Sequence, residues 1–298
     1  MTKLAVVVNP SAGKGRAIRV WERFRDAHRE LHHAQLVVAT SEVEARDALL
    51  QLDFESIERV LVFGGDGSFH LVGNVLLELG VNNRVAMAPL PGGTGSDLAR
   101  GLGIGPVSDA ILERAITVPP REIDVLRIET DADHKRFALN VFSAGITGEV
   151  NRAVRERRTL GTAAYLEATL IAAWRYRPRP CRLILDGKVW HEGKSLIVAV
   201  ANGPMFGQGM HIAPGARLDA GEADIVWVDP VSPWKLPFRR PQLYRGTHLE
   251  TRFVRSAKAR SVRIEPLEPI PPLDADGEPV PGQTATIAVE QRALRVVY

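Results

Sequence analysis

The chain is poor in cysteine and in long apolar runs. Its single cysteine, Cys181, excludes an internal disulfide, and the spacings of cysteine and histidine that hold zinc or an iron–sulfur cluster are missing. The apolar run Leu4–Val8 is too short for the core of a signal peptide. The longest apolar stretch near an expected helix, 163–174, is interrupted by Glu167 and falls well short of the ~20 residues that span a bilayer. We therefore expect a cytoplasmic protein whose contact with membranes is peripheral.

Two common nucleotide-binding fingerprints are also missing. No Gly-x-x-x-x-Gly-Lys-Ser/Thr motif occurs, and the nearest approach, at 187–195, has one residue too many between its glycines and fits a hairpin turn. The turn Gly13-Lys14-Gly15 is followed by Ile18 where a dinucleotide-binding fingerprint requires glycine or alanine. The sequence therefore excludes a Walker A site and a dinucleotide fingerprint.

The N-terminal part of the chain predicts an α/β fold. With 298 residues the chain exceeds the size at which single cores usually split, so two domains are expected. Between Leu4 and Ile128 short β-branched runs alternate with amphipathic stretches, which is typical of a parallel sheet. The expected strands are Leu4–Val8, Gln35–Val38, 59–63 and 85–88, and the expected helices are 17–31, a helix with a capping box of Ser41 and Glu44, and 69–79.

After Arg121 the pattern changes to strand-like segments separated by glycine and proline turns, which predicts a β-rich second domain. Its expected elements are a helix over 162–176, a hairpin at Asp186-Gly187, strands over 262–265 and 286–297, and a loop or edge segment over the proline-rich stretch 267–281. We place the domains at 1–125 and 126–298, with a final strand that could return to the first domain.

Three glycine-bearing turns, 9–15, 64–68 and 91–97, each follow an expected strand and open a helix. Such turns lie at the carboxyl edge of a parallel sheet, where glycine lets backbone N–H groups approach phosphate. One turn of this kind is more often a simple tight bend. Three at one edge predict a polyphosphate site.

Acidic residues accompany these turns. A capping role for Asp66 is disfavoured, because phosphate would crowd its carboxylate, and a carboxylate beside phosphate usually implies magnesium between them. Asp97 and Asp124 could complete that magnesium site, directly or through water. Two alternatives stay open at this point: Asp97 as the N-cap of the following helix, and Asp124 as a surface residue of a strand.

These turns, in this order, resemble the catalytic domain of diacylglycerol kinases, sphingosine kinases and bacterial lipid kinases. The similarity continues to the end of the chain. The matching blocks are Asn9 to Gly13, Gly64 to Ser68, Pro91 to Arg100, Ile123-Asp124, Asn140 to Gly145, Ala201-Asn202-Gly203 with Gly207-Gln208-Gly209, and Asp276-Gly277-Glu278. The resemblance implies an NAD-kinase-like parallel-sheet domain, a β-sandwich-like C-terminal domain, and nucleotide held in the cleft between them.

The resemblance also implies roles for individual residues. It makes Asp276 the general base that takes the proton of a lipid hydroxyl, although from the residues alone Asp276-Gly277 is only a turn. Glu278 would position nucleotide or metal, and Asp66 would serve catalysis as well as binding. The residues implied around ATP are Asn9, Pro10, Ser11, Ala12, Gly13, Thr40, Gly65, Asp66, Gly67, Ser68, 69–71 and Thr94.

Two positions depart from the family pattern. Ser96 stands where asparagine usually precedes the aspartate of the third block, so a side-chain hydrogen bond is expected to be lost there. In the segment 213–221, Ala220 stands where bacterial members have an aspartate that binds a structural magnesium. A methyl group cannot bind a hard cation, so this second metal is doubtful unless Asp219 substitutes.

The sequence thus predicts transfer of a phosphoryl group from Mg-ATP to a lipid hydroxyl, with diacylglycerol as the favoured acceptor and phosphatidic acid as the product. A sphingoid base or another lipid alcohol is the alternative. A soluble-substrate kinase on the same scaffold, such as an NAD kinase, is a rival, and so is a nucleotide-binding regulator without catalysis. The intact Asp66, Asp97 and Asp276 argue against the regulator.

The net charge is only +3, but basic residues cluster in the second half of the chain. Such clusters fit a solvated face, an anionic lipid surface or nucleic acid. The segments 174–179 and 234–240 interleave aromatic residues with arginines, as interfacial surfaces do, although a helix end and a solvated loop explain them equally well. We expect a lipid substrate at the membrane surface and no nucleic acid. A homodimer is compatible with the sequence.

Overall fold

Four parallel strands form the sheet of the N-terminal unit in the computed structural model, which describes residues 3–92, 96–155, 172, 174–270 and 273–298. The chain divides into two compact units, Met1–Val125 with Gln291–Tyr298, and Leu126–Glu290. The strands of the first unit are β1 (Leu4–Val8), β2 (Gln35–Val38), β3 (Arg59–Gly64) and β4 (Ala86–Pro91), in the spatial order β2-β1-β3-β4. The end of the last strand of the chain joins this sheet, where Val296 pairs with Met87.

The strand predictions are confirmed for β1 and β2, and β3 is one residue longer than expected. β4 differs more, since it was expected over 85–88 and continues through Pro89 to Pro91. β4 pairs with the last strand at Met87, before Pro89 and Pro91. The two prolines lack an N–H group, and they lie beyond the point at which β4 is paired on both of its sides.

The helices of this unit are α1 (Arg16–Ala27), α2 (Glu42–Leu50), α3 (Asp66–Glu78), α4 (Asp97–Gly101) and α5 (Asp109–Thr117). α1 ends earlier than expected because the chain becomes extended at His28. α3 begins three residues earlier than expected, at Asp66. The capping box of α2 is confirmed, since Ser41 Oγ accepts a hydrogen bond of 3.2 Å from the Glu44 amide.

The second unit is a β-sandwich. One sheet has the order β12-β11-β10-β7-β14-β15, and the other contains the second part of β5 from Leu126, β6, β8, β9, β13 and the first part of β16. Alternate residues of both sheets, among them Leu183, Val200, Trp227, Ile264 and Ile287, share one buried core. The strands are β5 (Arg121–Thr130), β6 (Lys135–Ala138), β7 (Val141–Gly145), β8 (Arg179–Leu185), β9 (Lys188–Ser195), β10 (Ile197–Ala201), β11 (Ala223–Val228), β12 (Val254–Ala259), β13 (Ser261–Pro266), β14 (Leu273–Ala275), β15 (Glu278–Val280) and β16 (Ala285–Val296). Among its described residues, this unit contains the helices α6 (Ile146–Arg155) and α7 (Leu236–Arg245) and the end of a further helix at 174–175.

The hairpin at Asp186-Gly187 is confirmed between β8 and β9, and the proline-rich stretch 267–281 contains β14 and the edge strand β15. Most of the expected helix 162–176 lies outside the described residues; its described end leaves the helix after Arg175. No helix among the described residues is long and apolar enough to cross a bilayer.

We expect Gly92→Ala to destabilise the first unit. An added Cβ would lie 2.5 Å from the Cβ and 3.0 Å from the Cα of Ala17 in α1. Overpacking of this kind costs about 1–3 kcal/mol. Gly105→Ala is the matched control, because a Cβ at that position meets nothing within 4 Å. Thermal unfolding should show a lower melting temperature for Gly92→Ala only. Equal melting temperatures for the two variants would mean that α1 yields without strain.

Candidate functional site

The three glycine-bearing turns meet at the carboxyl edge of the parallel sheet. They follow β1, β3 and β4, which are neighbours in the sheet. The amide of Asn9 donates a hydrogen bond of 3.0 Å to the carbonyl of Phe63, and the amide of Gly92 donates one of 2.8 Å to the carbonyl of Gly64. These bonds therefore join the first and third turns directly to the end of β3.

The first turn is ordered by its own hydrogen bonds and by left-handed backbone conformations. Asn9 Oδ1 accepts a hydrogen bond of 3.0 Å from the Ser11 amide, which orders the start of the turn. Gly13, Lys14 and Gly15 then adopt left-handed conformations, with φ of 59°, 57° and 80°. The helix α1 that follows has no side-chain cap and no acidic residue in its first turn. Such a helix start favours an anion.

The two glycines of the second turn have different explanations. A Cβ on Gly64 would lie 2.5 Å from Ser68 Cβ, so packing within the protein requires this glycine. Gly65 has φ −122° and ψ −167°, which any residue can adopt, and a Cβ there would meet nothing within 4 Å. The fold therefore does not need a glycine at position 65, and the backbone at the start of α3 faces open space.

The Asp66 carboxylate links the second turn to the third. It accepts hydrogen bonds from Ser96 Oγ at 2.9 Å, from the Asp97 amide at 2.9 Å and from the Leu98 amide at 3.2 Å. Burial raises the pKa of Asp66 to about 6, and the charge of Asp97 adds to this, while the three hydrogen bonds oppose it. Asp66 does not cap its own helix α3, which has no side-chain cap, but its carboxylate accepts from the first amides of the neighbouring helix α4, a role that the sequence did not predict.

The N-cap of α4 itself is Ser96. Its Oγ accepts a hydrogen bond of 3.3 Å from the Ala99 amide while donating to Asp66. Ser96 therefore makes side-chain hydrogen bonds of its own at this position, and the loss of one that asparagine would make stays a prediction. The alternative that Asp97 is the N-cap is also wrong: Asp97 is the first residue of α4, is buried, and lies 3.3 Å from Arg100 Nη1.

Asp124 lies inside the first unit rather than on its surface. It is only 1% exposed, and its Oδ1 accepts a hydrogen bond of 2.8 Å from the Arg292 amide. Within the part of the chain that the structure describes, no three His, Cys, Asp or Glu side chains are grouped as a metal site. Asp66 and Asp97 are nevertheless adjacent, and carboxylate oxygens suit Mg²⁺, which commonly keeps several water ligands. The Asp66 and Asp97 carboxylates therefore fit a magnesium ion, and a role of Asp124 in that site stays a prediction.

The remaining expected ligands of ATP lie in different surroundings. Thr40 is exposed at the end of β2, and its amide and hydroxyl both donate to the Glu44 carboxylate at 3.2 Å. Phe69, His70 and Leu71 are buried in α3, so the accessible part of this stretch is 65–68. Thr94 lies outside the described residues.

Asp219, the substitute considered for a second magnesium, is held by an arginine. Its two carboxylate oxygens accept hydrogen bonds from Arg217 Nε at 3.0 Å and Nη2 at 3.2 Å. A cation at this place would have to compete with the guanidinium group.

In the second unit, the carboxylate of Asp276 is fixed by three consecutive backbone amides. Oδ2 accepts from Leu139 at 2.7 Å, and Oδ1 accepts from Asn140 and Val141, both at 2.9 Å. Asp276 is half-buried and lies in the turn between β14 and β15, which Glu278 follows as the first residue of β15. The turn residue of the sequence is thus a carboxylate of fixed orientation.

Sequence reasoning missed Asp274, two residues before Asp276. It is only 5% exposed; its Oδ2 accepts a hydrogen bond of 2.7 Å from Asn151 Nδ2, and its Oδ1 accepts one of 3.0 Å from the Gly277 amide. Burial raises the pKa of Asp274 to about 7. The available signal was an aspartate just before the Asp276-Gly277 turn, since aspartate side chains often hydrogen-bond backbone N–H groups of a turn.

Two family models match the chain. The diacylglycerol kinase catalytic domain matches residues 3–128, and the YegS C-terminal NAD kinase beta sandwich-like domain matches residues 140–298, which is more than half of the chain.

Individual proteins agree with these models. A protein of Mycobacterium tuberculosis named diacylglycerol kinase is 29% identical over 303 aligned positions, covering 98% of this chain and 95% of the relative. A protein of Shewanella frigidimarina named "Probable lipid kinase YegS-like" is 29% identical over 248 positions, covering 82% and 77%. A crystal structure of a diacylglycerol kinase from Bacillus anthracis has the same fold, with a TM-score of 0.75 at 23% identity over 99% of this chain and 96% of that one. The chain therefore belongs to the lipid kinase family that combines a diacylglycerol kinase catalytic domain with a YegS C-terminal domain.

Proposed function

We propose that this lipid kinase transfers the γ-phosphoryl group of Mg-ATP to the free hydroxyl of diacylglycerol and so produces phosphatidic acid. The observation that carries the phosphoryl-donor half is the convergence of three turns at one sheet edge, with open space beside Gly65. The acceptor is inferred from the relative in Mycobacterium tuberculosis, whose name is diacylglycerol kinase and whose similarity extends over 98% of this chain.

The proposed nucleotide site uses the backbone of 9–13 and 65–68, together with Thr40 and Thr94. Neither α1 nor α3 has a side-chain cap, and a helix N-terminus of this kind favours phosphate oxygens. Asp66 and Asp97 would hold the magnesium ion, which neutralises negative charge on the phosphate oxygens during transfer. The hydrogen bonds that Asp66 accepts from Ser96 and Asp97 hold the second and third turns together around the proposed ion.

Asp276 is the proposed general base. The proton of the acceptor hydroxyl passes to its carboxylate as the hydroxyl oxygen bonds to the γ-phosphorus and the bond to ADP breaks. Three backbone amides fix the direction of this carboxylate, so its orientation does not have to be established during the reaction. Glu278, on the same turn, would help to position nucleotide or metal.

We also propose that the enzyme reaches its lipid through an aromatic–basic surface formed by Trp174, Arg175, Trp234, Lys235 and Phe238. The sequence identified its two segments separately, and the structure brings them together, because the Trp174 and Trp234 rings meet edge to face at 4.3 Å. Trp234 is 69% exposed and Phe238 is 84% exposed. Large aromatic side chains beside cationic ones suit the headgroup region of an anionic membrane. Homodimerisation stays a prediction.

The first prediction separates nucleotide binding from proton transfer. Gly65→Ala should weaken Mg-ADP binding without unfolding, because its methyl group enters the open space proposed for phosphate.

Asp276→Asn should keep nucleotide affinity and lower kcat on diacylglycerol by about 10²–10⁴-fold, the usual contribution of a general base. Calorimetric titration and phosphorylation kinetics measure the two effects.

Asparagine is the informative change at position 276, because Asp276→Ala would leave three amides without their acceptor. Asp66→Ala should also weaken Mg-ADP binding, but it frees the start of α4 at the same time. Gly105→Ala is the matched control for Gly65→Ala. An Asp276→Asn protein that retains more than about a tenth of the wild-type kcat would remove Asp276 as the base.

The second prediction concerns the aromatic–basic surface. Trp234→Ser combined with Phe238→Ser should reduce co-sedimentation with vesicles that contain anionic phospholipid, because both side chains are mostly exposed. Activity on a short-chain, water-soluble diacylglycerol should survive. Val189→Ser is the control, since Val189 is 62% exposed but lies outside this surface, on β9.

Equal vesicle binding by the double variant and the wild type would mean that the aromatic–basic surface is a solvated face that does not bind membranes. Loss of activity on the soluble diacylglycerol as well would place these side chains in the substrate site instead.

A further inference from the structure

Asp274 is a buried acid with no role in the chemistry proposed so far. It lies in β14 between Leu273 and Ala275, both fully buried, and is itself 5% exposed. Acidic residues are almost never this buried unless they are paired, and no basic partner of Asp274 is seen among the described side chains. Instead, its carboxylate accepts two hydrogen bonds from neutral donors.

The two hydrogen bonds connect different elements. The bond from the Gly277 amide, at 3.0 Å, closes the turn 274–277 that carries Asp276. The bond from Asn151, at 2.7 Å, attaches this turn to α6. Asp276 and Gly277 both have positive φ, of 55° and 93°, so the turn has an unusual backbone shape that needs support.

We infer that Asp274 is a positioning residue for phosphoryl transfer: its carboxylate closes the turn that carries Asp276 and attaches that turn to Asn151 on α6. Its kinetic consequence rests on the proposed function, in which Asp276 is the general base. The effect of Asp274 on the order of the turn does not depend on the proposed function.

The electrostatic surroundings make this residue sensitive to pH. Burial raises the pKa of Asp274 to about 7, the negative charges of Asp276 and Glu278 add to it, and the bonds from Asn151 and Gly277 oppose it. The strand β7 places Ser143, a neutral residue, opposite Asp274. On α6, the charged Glu149 and Arg152 pair with each other.

Protonation would weaken the support. An ionised carboxylate accepts hydrogen bonds at both oxygens, whereas a protonated one turns an O–H donor toward one of the two N–H donors. The turn is therefore best held above the pKa of Asp274. Its contribution to catalysis should fall as the pH decreases through about 7.

Asp274→Ala removes both hydrogen bonds and should lower kcat on diacylglycerol about ten- to hundredfold, as expected for a displaced catalytic group. Nucleotide affinity should change less than kcat, because the proposed phosphate-binding turns 9–13 and 65–68 do not include 274–277. Asp274→Asn should rescue kcat at pH 8, because its oxygen still accepts from Gly277 and the Asn151 amide can rotate to accept from the new N–H₂.

The pH profile separates positioning from a merely structural role. Between pH 8 and pH 6 the wild type should lose about tenfold more kcat than Asp274→Asn, since one unit below a pKa about a tenth of the group is ionised. Any contribution from Asp66 is common to both proteins and cancels. Asp224→Asn is the matched control, because Asp224 is an acid of β11 whose pKa burial also raises, and its profile should equal that of the wild type.

A readout without substrate keeps this test independent of the proposed function. Burial penalises only the ionised form, so the stability contribution of Asp274 is full below the unfolded pKa near 3.8 and is lost as the pH rises through about 7. Asp274→Asn should therefore raise the melting temperature relative to the wild type at pH 8, and less so at pH 5. Amide exchange in 273–280 should accelerate in Asp274→Ala.

Several results would overturn the inference. The first is an Asp274→Asn protein with the wild-type pH profile. The second is an Asp274→Asn protein that is inactive at every pH, and the third is an Asp274→Ala protein with the wild-type kcat. If Asp274→Ala does not fold, Asp274→Asn alone decides. A wild type that does not phosphorylate diacylglycerol, or a fully active Asp276→Asn, would instead refute the proposed function while leaving the melting and exchange results to judge the turn.

Discussion

The hydrogen bonds of the Asp66 carboxylate hold the proposed nucleotide site together. They connect the turn after β3 to the start of α4, so that two turns separated by 30 residues in sequence share one anchor. Burial disfavours the ionised form of this carboxyl group and raises the pKa of Asp66 to about 6. Three donors and a nearby magnesium ion would offset that penalty. Loss of this one anchor would therefore disturb two turns of the proposed nucleotide site at once.

In the second unit, hydrogen bonds from backbone amides likewise orient a carboxylate, that of Asp276. Asp276 is oriented by the amides of Leu139, Asn140 and Val141, much as Asp66 is oriented by amides of α4. In both cases backbone donors, which cannot change rotamer, determine where a carboxylate points. Such preorganisation is the main way in which a protein accelerates phosphoryl transfer, because there is little covalent chemistry for side chains to perform.

Local patterns in the sequence predicted local structure well. The apolar runs of β1 and β2, the capping box of Ser41 and the hairpin at Asp186-Gly187 are confirmed, because each depends on residues close in the chain. The family resemblance and the two fold classes are confirmed as well. The capping role of Asp66 was not predictable, since its partners lie 30 to 32 residues away.

The same reason explains what was missed in the second unit. Asp274 alternates with apolar neighbours and its partner Asn151 is 123 residues earlier, so no local pattern marks it as buried. The Trp174–Trp234 contact also joins distant segments. Such features depend on tertiary packing, and only the folded chain displays them.

Incubation of the purified protein with γ-labelled ATP and magnesium tests the central claim most directly. The acceptors are diacylglycerol, a sphingoid base, another lipid alcohol and NAD, each offered separately, with the lipids in mixed micelles. We expect label in phosphatidic acid, and none without magnesium. Label in a phosphorylated sphingoid base would move the proposal to another lipid alcohol, and label in NADP alone would contradict the account of a lipid acceptor.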